Sequence, residues 1–237
     1  MEYGFDTTVT LLDVGEAFAA VANGEQDAMM EAWLPHLHED YWDLYDGQLD
    51  AVGSLFTGAR LGLAVPYYSR DDGIVAMSDL NSTAVANEFG NELYASTDSG
   101  KETIENEVIP NYLASSSGSW SVKNFYVSDM SERLTNDFAT GTDIAFFFFQ
   151  PSRLFGLFDL HMLAQDGPIV WEADEIHTAI ASDLADRKPG LASILRSVSF
   201  TNDQVNEMIV AFSDFDRTYR ELASEWKVNN REVWEDW

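Results

Sequence analysis

Trp33 and Phe149 each lie at the end of a predicted strand, and Phe200 directly precedes Thr201 at the start of a predicted helix. An aromatic ring at such a place can take part in binding a cation. Two of them, Trp33 and Phe149, stand two residues before a proline. Aromatic faces attract quaternary ammonium groups, so three such rings converging on a cleft would hold a ligand of that kind. Each ring taken alone is more often part of a hydrophobic core, and periodicity does not show that they converge. Both interpretations stay open at this point.

The run Phe146–Phe149 gives the clearest strand of the chain. Four consecutive phenylalanines followed by Gln150-Pro151 predict a strand that is buried on both faces of a sheet. In an open α/β sheet, ligands bind at the carboxyl ends of such strands. We therefore expect the first three phenylalanines in the core, and we take Phe149 and Arg153 as candidates for ligand contact. Pro151 is expected to open the following helix.

Composition excludes several classes of partner and site. The 237 residues include 41 acidic and 13 basic side chains, and the net charge is -28. Such a surface repels nucleic acid and anionic lipid, so neither is an expected partner. The excess of acid over base suits a protein that stays soluble in high salt, which screens its self-repulsion. There is no cysteine, hence no disulfide, no thiolate metal site and no cysteine nucleophile.

Neither a metal site nor catalysis is expected. His36 and His38 are spaced like a pair of metal ligands, but no third ligand lies near them in the sequence. No phosphate-binding loop, dinucleotide fingerprint or nucleophile elbow is present. The sequence therefore predicts a protein that is not an enzyme, with no metal and no cofactor.

Strands and helices alternate along the chain, which favours an α/β fold with a parallel or mixed sheet. The expected strands are 7–13, 27–35, 58–66, 93–96, 122–127, 144–150 and 175–181. The expected helices include 15–23, 38–48, 97–113, 128–138, 189–198, 202–213 and 216–228. No apolar run is long enough to span a membrane, and the first residues lack the basic and apolar regions of a signal peptide.

Ser99 and Gly100 lie in the first turn of the helix that Thr97 is expected to cap. Free N–H groups at a helix start can bind an anion, whereas a plain capped start needs no ligand. The residues themselves do not decide between these alternatives.

Several stretches together resemble the glycine betaine substrate-binding proteins of ABC transporters, and the similarity runs over nearly the whole chain. They are Leu12-Asp-Val-Gly15, Val21-Ala-Asn-Gly24, Ala32-Trp-Leu-Pro35, His38 with Asp40-Tyr-Trp42, Leu61-Gly-Leu-Ala-Val-Pro66, Ser99-Gly100, Glu175-Ile-His-Thr178 and Asn206-Glu-Met208. The resemblance implies an α/β, two-lobed periplasmic-binding-protein fold of type II, often called a Venus flytrap. It implies lobes at 1–66 plus 180–237 and at 67–179. It also implies that a first strand and helix of the family are lacking, which would leave strand edges unpaired.

The same resemblance implies a ligand site. The family holds the trimethylammonium group in a cage of tryptophans, and Trp33 matches one of them. Phe149 and Phe200 stand where the other cage tryptophans are expected, Ser152 stands in place of a histidine, and Arg153 in place of the tryptophan after it. The predicted ligand-binding residues are Trp33, Phe149, Phe200, Arg153, His38, Ser99 and Gly100.

The implied function is the capture of glycine betaine, or of a related quaternary-amine compatible solute, for an ABC permease. The implied location is extracytoplasmic, with membrane association only through the permease or through an anchor outside this chain. Two alternatives stay open. One is a divergent binding protein for a different ligand, such as an anion held by Arg153 and the helix start at Ser99. The other is a binding-protein-like domain without a ligand that acts in protein association.

Overall fold

Two units make up the chain, and one long strand contributes to both. The computed structural model describes residues 4–211 and 217–237. Unit 1 consists of Met1–Ala59 and Ala173–Trp237, and unit 2 consists of Arg60–Glu172. The lobe limits expected from the resemblance, 1–66 plus 180–237 and 67–179, stay a prediction.

The strands are numbered in chain order. They are β1 (Ala28–Leu34), β2 (Leu49–Pro66), β3 (Glu92–Ala95), β4 (Ser121–Asn124), β5 (Ala145–Gln150), β6 (Leu160–Met162) and β7 (Asp174–Ala181). Six of them overlap strands expected from the sequence. The short β6 has no counterpart there, because three residues are too few to display a period.

The helices are α1 (Val14–Ala22), α2 (Glu39–Leu44), α3 (Tyr67–Asp71), α4 (Thr83–Glu88), α5 (Asp98–Thr103), α6 (Ile109–Tyr112), α7 (Val127–Thr140), α8 (Arg153–Leu157), α9 (Leu184–Arg187), α10 (Pro189–Ser197), α11 (Asn202–Ala211), α12 (Tyr219–Asn229) and α13 (Arg231–Trp234). A π-helical turn at Ile104–Val108 joins α5 to α6. The helices expected at 202–213 and 216–228 are confirmed as α11 and α12, although 212–213 and 216 lie outside the described residues.

Unit 1 is built on an antiparallel ladder. β7 pairs with β1 on one side and with residues 49–59 of β2 on the other. Helix α1 covers this ladder and buries Phe18 and Val21 against Ala179 and Ile180 of β7. The ladder brings the carboxyl end of β1 beside the start of β7, where Trp33 pairs with Ile176.

Unit 2 is built on a mixed sheet with β5 at its centre. β5 is antiparallel to residues 60–64 of β2 and parallel to β3, which is in turn parallel to β4. Side chains of β5 alternate between two cores: Phe147 packs on one face, and Phe146 and Phe148 pack on the other. The expected strand buried on both faces is therefore confirmed.

Two local predictions are wrong. Thr7–Asp13 forms no strand, and Val9 and Leu11 are 86% and 84% exposed. Its β-branched composition suits a strand, but a strand forms only where a neighbour supplies the ladder. The helix after β5 begins at Arg153 rather than at Pro151, with Ser152 at its N-cap position.

Candidate ligand-binding residues in the two units

Trp33 lies at the carboxyl end of β1, inside a hydrophobic cluster of unit 1. It is 7% exposed and packs with Leu55, Ile176 and Val198, and Phe200 borders the same cluster. The ladder to β7 explains its position, because residues opposite each other in antiparallel strands lie side by side. Two predicted ligand-binding residues of unit 1, Trp33 and Phe200, therefore belong to one packed group.

His38 holds the backbone of Trp33. The Trp33 N–H donates to His38 Nδ1 at 3.1 Å, and the His38 N–H donates to the Trp33 carbonyl at 3.0 Å. The imidazole also packs edge-on against Phe18 and Tyr41. Burial lowers the pKa of His38 from its usual 6.5, and the Asp174 carboxylate acts in the opposite direction. A neutral ring with its acceptor at Nδ1 is thus the form that fits this geometry.

Asp174 fixes the turn between Trp33 and His38, a role that sequence reasoning missed. Its carboxylate accepts the N–H of His36 at 2.7 Å and that of Leu37 at 3.0 Å, and the residue is 4% exposed. Hydrogen bonds to a buried carboxylate are stronger than neutral ones. In the sequence, Asp174 is one of 41 acidic residues, and nothing sets it apart from the others.

Phe200 lies among the tryptophans of the carboxyl-terminal helices. Its ring meets Trp226 and Trp237 edge to face, at centroid distances of 5.6 and 5.3 Å. Its N–H donates to the Leu55 carbonyl at 2.6 Å. Phe200 also borders a cavity of about 710 Å³ within unit 1, together with Trp226, Trp234 and Trp237. The tryptophan-rich tail therefore surrounds Phe200.

Phe149 differs from the three phenylalanines before it. Phe146, Phe147 and Phe148 are 0%, 6% and 4% exposed, whereas Phe149 is 37% exposed. Its ring stacks on that of Phe148, with the centroids 4.5 Å apart and the planes 27° apart. This division confirms the expectation that Phe146–Phe148 are core residues. The partly exposed ring of Phe149 lies at the carboxyl end of β5, where ligands bind in α/β sheets.

Ser152 and Arg153 follow at the start of α8. Ser152 is 2% exposed, and its hydroxyl has no hydrogen-bond partner among the described residues. The same is true of the buried Arg153 Nε. Two residues before Ser152, the Gln150 side chain accepts a hydrogen bond of 3.3 Å from Arg60.

Ser99 and Gly100 form the capped start of α5. The Gly100 N–H donates to Thr97 Oγ1 at 3.0 Å, and Ser99 Oγ lies 3.1 Å from the same oxygen. Thr97 is thus the N-cap expected from the sequence. Because the Gly100 N–H already donates to Thr97, it can reach a ligand only by giving up or sharing that bond.

The described residues, 4–211 and 217–237, contain no cluster of His, Cys, Asp and Glu suited to a metal ion. None of the helices in this part of the chain has the length and apolarity needed to cross a membrane.

Comparison with known proteins identifies the family. The family described as "Substrate binding domain of ABC-type glycine betaine transport system" matches residues 1–228. The chain belongs to this family. Its members bind substrates for transporters and are not enzymes, in agreement with the expectation from the sequence. The glycine betaine/carnitine transport binding protein GbuC of Listeria monocytogenes serotype 1/2a (strain 10403S) is 32% identical over 82 residues. That match spans 35% of this chain and 27% of that protein's length.

Solved structures share the fold. Lactococcal OpuAC, in its closed form with glycine betaine, has a TM-score of 0.78 and 24% identity. That comparison covers 100% of this chain and 89% of OpuAC. A choline-binding protein of an ABC transporter, in complex with choline, has a TM-score of 0.69 at 19% identity and covers 97% of this chain and 80% of its own. The ProX protein of Borrelia burgdorferi has a TM-score of 0.70 at 17% identity, over 94% and 83%. These likenesses confirm the expected two-lobed periplasmic-binding-protein fold.

Within each unit, the structure groups several of the residues expected at the ligand site. In unit 1, Trp33 and Phe200 share one hydrophobic cluster, and two hydrogen bonds join Trp33 to His38. Unit 2 places Phe149 and Arg153 within one short stretch at the end of β5.

Proposed function

We propose that this chain is the solute-binding component of an ABC transporter and that it captures glycine betaine or a related quaternary-amine solute. The observation that carries the proposal is the family match, which extends over residues 1–228. Its delivery target is an ABC permease, and its place of action is outside the cytoplasm. Two of the similar solved structures hold glycine betaine and choline, and both of these ligands contain a quaternary ammonium group.

Three aromatic residues are proposed to contact the ligand's ammonium group: Trp33, Phe149 and Phe200. The exposure of Phe149, against its three buried neighbours, supports a role other than core packing. Phenylalanine has a weaker cation–π face than tryptophan. With two phenylalanines among the three rings, we expect weaker binding than an all-tryptophan cage would give.

His38 is proposed to act on the ligand through Trp33. Its ring accepts the Trp33 N–H and so sets the position of that residue's backbone. Asp174 supports the same turn from the other side. These contacts make His38 a positioning residue in this proposal.

Calorimetric titration with glycine betaine, carnitine, proline betaine and choline tests the proposed ligand class. At least one of them should bind saturably, and ligand should change the tryptophan fluorescence through Trp33. The Trp33→Phe variant should lose most of that change. Trp120→Phe is the matched control, because Trp120 is a buried tryptophan of unit 2 that donates to Ser116. If none of the four compounds produces heat, the assigned ligand class is wrong.

A second candidate is an anionic ligand without a quaternary ammonium group. One observation favours it: the Arg153 side chain pairs with no carboxylate among the described residues, although the chain contains 41 acidic residues. An uncharged-head analogue of glycine betaine, 3,3-dimethylbutanoate, distinguishes the two candidates, because it keeps the shape and the carboxylate and lacks the cation. Binding of this compound in the absence of betaine binding would favour the second candidate.

A further inference from the structure

The carboxyl-terminal helices of unit 1 surround a cavity of about 710 Å³, which we call the tail cavity. Helices α11, α12 and α13 all contribute to its lining, and most of that lining is apolar. Small-molecule sites in proteins have volumes of about 300 to 1,000 Å³ and are lined in the same way, with a few polar groups that fix the ligand. The tail cavity therefore has the size and the character of a ligand site.

Flat aromatic faces form part of the lining. The rings of Trp226 and Trp237 are nearly parallel, with an angle of 19° between their planes and 6.3 Å between their centroids. Phe200 meets both of them edge to face, and Trp234 borders the same space. Aromatic side chains pack best against other planar rings, in offset-stacked or edge-to-face arrangements. The shape of this lining thus favours a planar ligand.

One hydrogen-bond donor in the lining has no acceptor. The indole N–H of Trp234 donates to the Lys227 carbonyl at 2.7 Å, whereas the Trp226 Nε1 is shielded from solvent and has no partner among the described residues. An indole nitrogen can only donate, and a buried donor without an acceptor costs free energy. A ligand that brings an acceptor to Trp226 would remove that cost.

The charged residues of the lining balance one another. They are two acidic residues, Glu207 and Glu225, and two basic residues, Arg217 and Lys227. Arg217 pairs with Glu225, and the Lys227 ammonium lies 5.4 Å from the centre of the Trp234 ring. Glu207 is exposed and keeps its hydration. In a chain of net charge -28, this lining carries no excess charge that would call for an ion, and an unpaired ion would lose hydration against apolar walls.

We propose that the tail cavity is a second ligand site, which binds a neutral planar aromatic molecule through a hydrogen bond from the Trp226 indole. The acceptor is a ring nitrogen or a carbonyl oxygen of the ligand. The ring faces of Trp226 and Trp237, together with the apolar side chains of α11 and α12, supply the remaining contacts. This inference goes beyond the proposed function, because its ligand class contains no ammonium group and its site lies among the carboxyl-terminal helices.

Three compounds of nearly equal shape test the proposed ligand class. Quinoline is an uncharged two-ring compound at neutral pH with one acceptor nitrogen, and naphthalene has the same shape without the acceptor. N-methylquinolinium carries a positive charge and has no acceptor. Titration of the protein should give saturable quinoline binding, with a Kd about 2- to 10-fold below that of naphthalene, since one hydrogen bond separates them. N-methylquinolinium should bind more weakly than quinoline.

Two variants locate the site. Trp226→Phe keeps an aromatic ring and removes the donor, so quinoline should lose its advantage and bind no better than naphthalene. Ala223→Phe adds a ring to the lining and should weaken both compounds about tenfold or more by filling the cavity. The matched controls lie in unit 2 and should change neither affinity: Trp120→Phe replaces a buried tryptophan, and Ala84→Phe replaces an exposed helical alanine.

The indole N–H resonances provide a readout that a merely structural role of Trp226 would not produce. The resonance that disappears in Trp226→Phe assigns the Trp226 indole. Quinoline should move this proton downfield, because its nitrogen accepts the hydrogen bond. Naphthalene, with similar ring currents and no acceptor, should not produce that downfield shift.

Addition of glycine betaine separates the tail cavity from the site of the proposed function. Quinoline should bind equally well with and without glycine betaine. Displacement of quinoline by glycine betaine would overturn the second site and leave the proposed function intact. Quinoline binding by a protein that does not bind glycine betaine would keep the tail cavity as a ligand site and count against the proposed function.

The remaining outcomes concern the ligand class and the donor. Absence of quinoline binding, tighter binding of N-methylquinolinium than of quinoline, or an unchanged preference for quinoline over naphthalene in Trp226→Phe would each overturn the inference. If Ala223→Phe does not fold, Trp226→Phe and the indole resonance decide the question.

Discussion

Replacement of Phe149 by alanine should weaken ligand binding and barely change stability, whereas replacement of Phe148 should do the reverse. The two residues are adjacent in β5, and their rings stack on each other. Phe149 is 37% exposed and Phe148 is 4% exposed. Replacement by alanine thus removes the same phenyl ring from a partly exposed position and from a buried one.

The expected loss of affinity follows from the cation–π interaction. Such contacts contribute about 0.5 to 2 kcal/mol, depending on how far the ligand is desolvated. Phe149→Ala should therefore raise the Kd for glycine betaine about 2- to 30-fold. The stack on Phe148, 4.5 Å between centroids, contributes about 0.5 to 1.5 kcal/mol to the stability cost of this deletion.

The cost of the Phe148 deletion is larger because the ring is enclosed. Phe148 packs with Phe125 and Phe146, at centroid distances of 5.9 and 6.4 Å. Deletion of a buried phenylalanine costs about 3 to 5 kcal/mol through lost burial and the cavity left behind. For a chain of this size that corresponds to a decrease in Tm of about 6 to 20 °C.

Phe149→Trp is the gain-of-function counterpart. Tryptophan has the strongest cation–π face, so this variant should bind glycine betaine more tightly than wild type. For the wild type and all three variants, titration calorimetry measures the Kd for glycine betaine and scanning calorimetry measures the Tm. The reasoning is refuted if Phe149→Ala destabilises the protein as much as Phe148→Ala does and leaves the Kd unchanged.

Three further predictions concern stability. Gly53→Ala should cost more than about 2 kcal/mol of unfolding free energy in a denaturant titration, because Gly53 has φ +65° and an added Cβ would lie 2.6 Å from the Arg196 carbonyl oxygen. Gly47→Ala is the control: Gly47 has φ +72° but lies in open space, so this variant should cost clearly less. Equal losses in the two variants would contradict the close contact at Gly53. Because burial lowers the pKa of His38, the folded state binds fewer protons than the unfolded state below pH 6.5. The Tm should therefore fall as the pH drops from 6.5. The His38→Asn variant keeps a hydrogen-bond acceptor and should make this fall in Tm smaller. With a net charge of -28, the urea midpoint should rise with sodium chloride concentration, and a midpoint that does not rise would count against adaptation to high salt.

The Phe strand was readable from the sequence because its cause is local. Four consecutive large apolar residues can be buried only where both faces of a strand are covered, and Phe146 and Phe147 do pack into opposite cores. The helices of the chain follow a similar logic of apolar spacing and caps, as Thr97 at the start of α5 illustrates.

The rest depends on contacts between distant segments. Thr7–Asp13 has strand composition and still forms no strand, because pairing is decided by a neighbour and not by propensity. Asp174 binds backbone N–H groups that lie 137 and 138 residues away in sequence, and Phe200 meets Trp226 and Trp237 much later in the chain. No local pattern carries such information. The family resemblance, by contrast, identifies Trp33 and Phe149 as ligand candidates from the sequence alone.

Calorimetric titration of the chain with glycine betaine tests the central claim most directly. The account predicts saturable binding at a single site, displaced by carnitine or proline betaine and weakened in Phe149→Ala. An absence of heat with glycine betaine, carnitine, proline betaine and choline, from protein shown to be folded by its thermal transition, would contradict it.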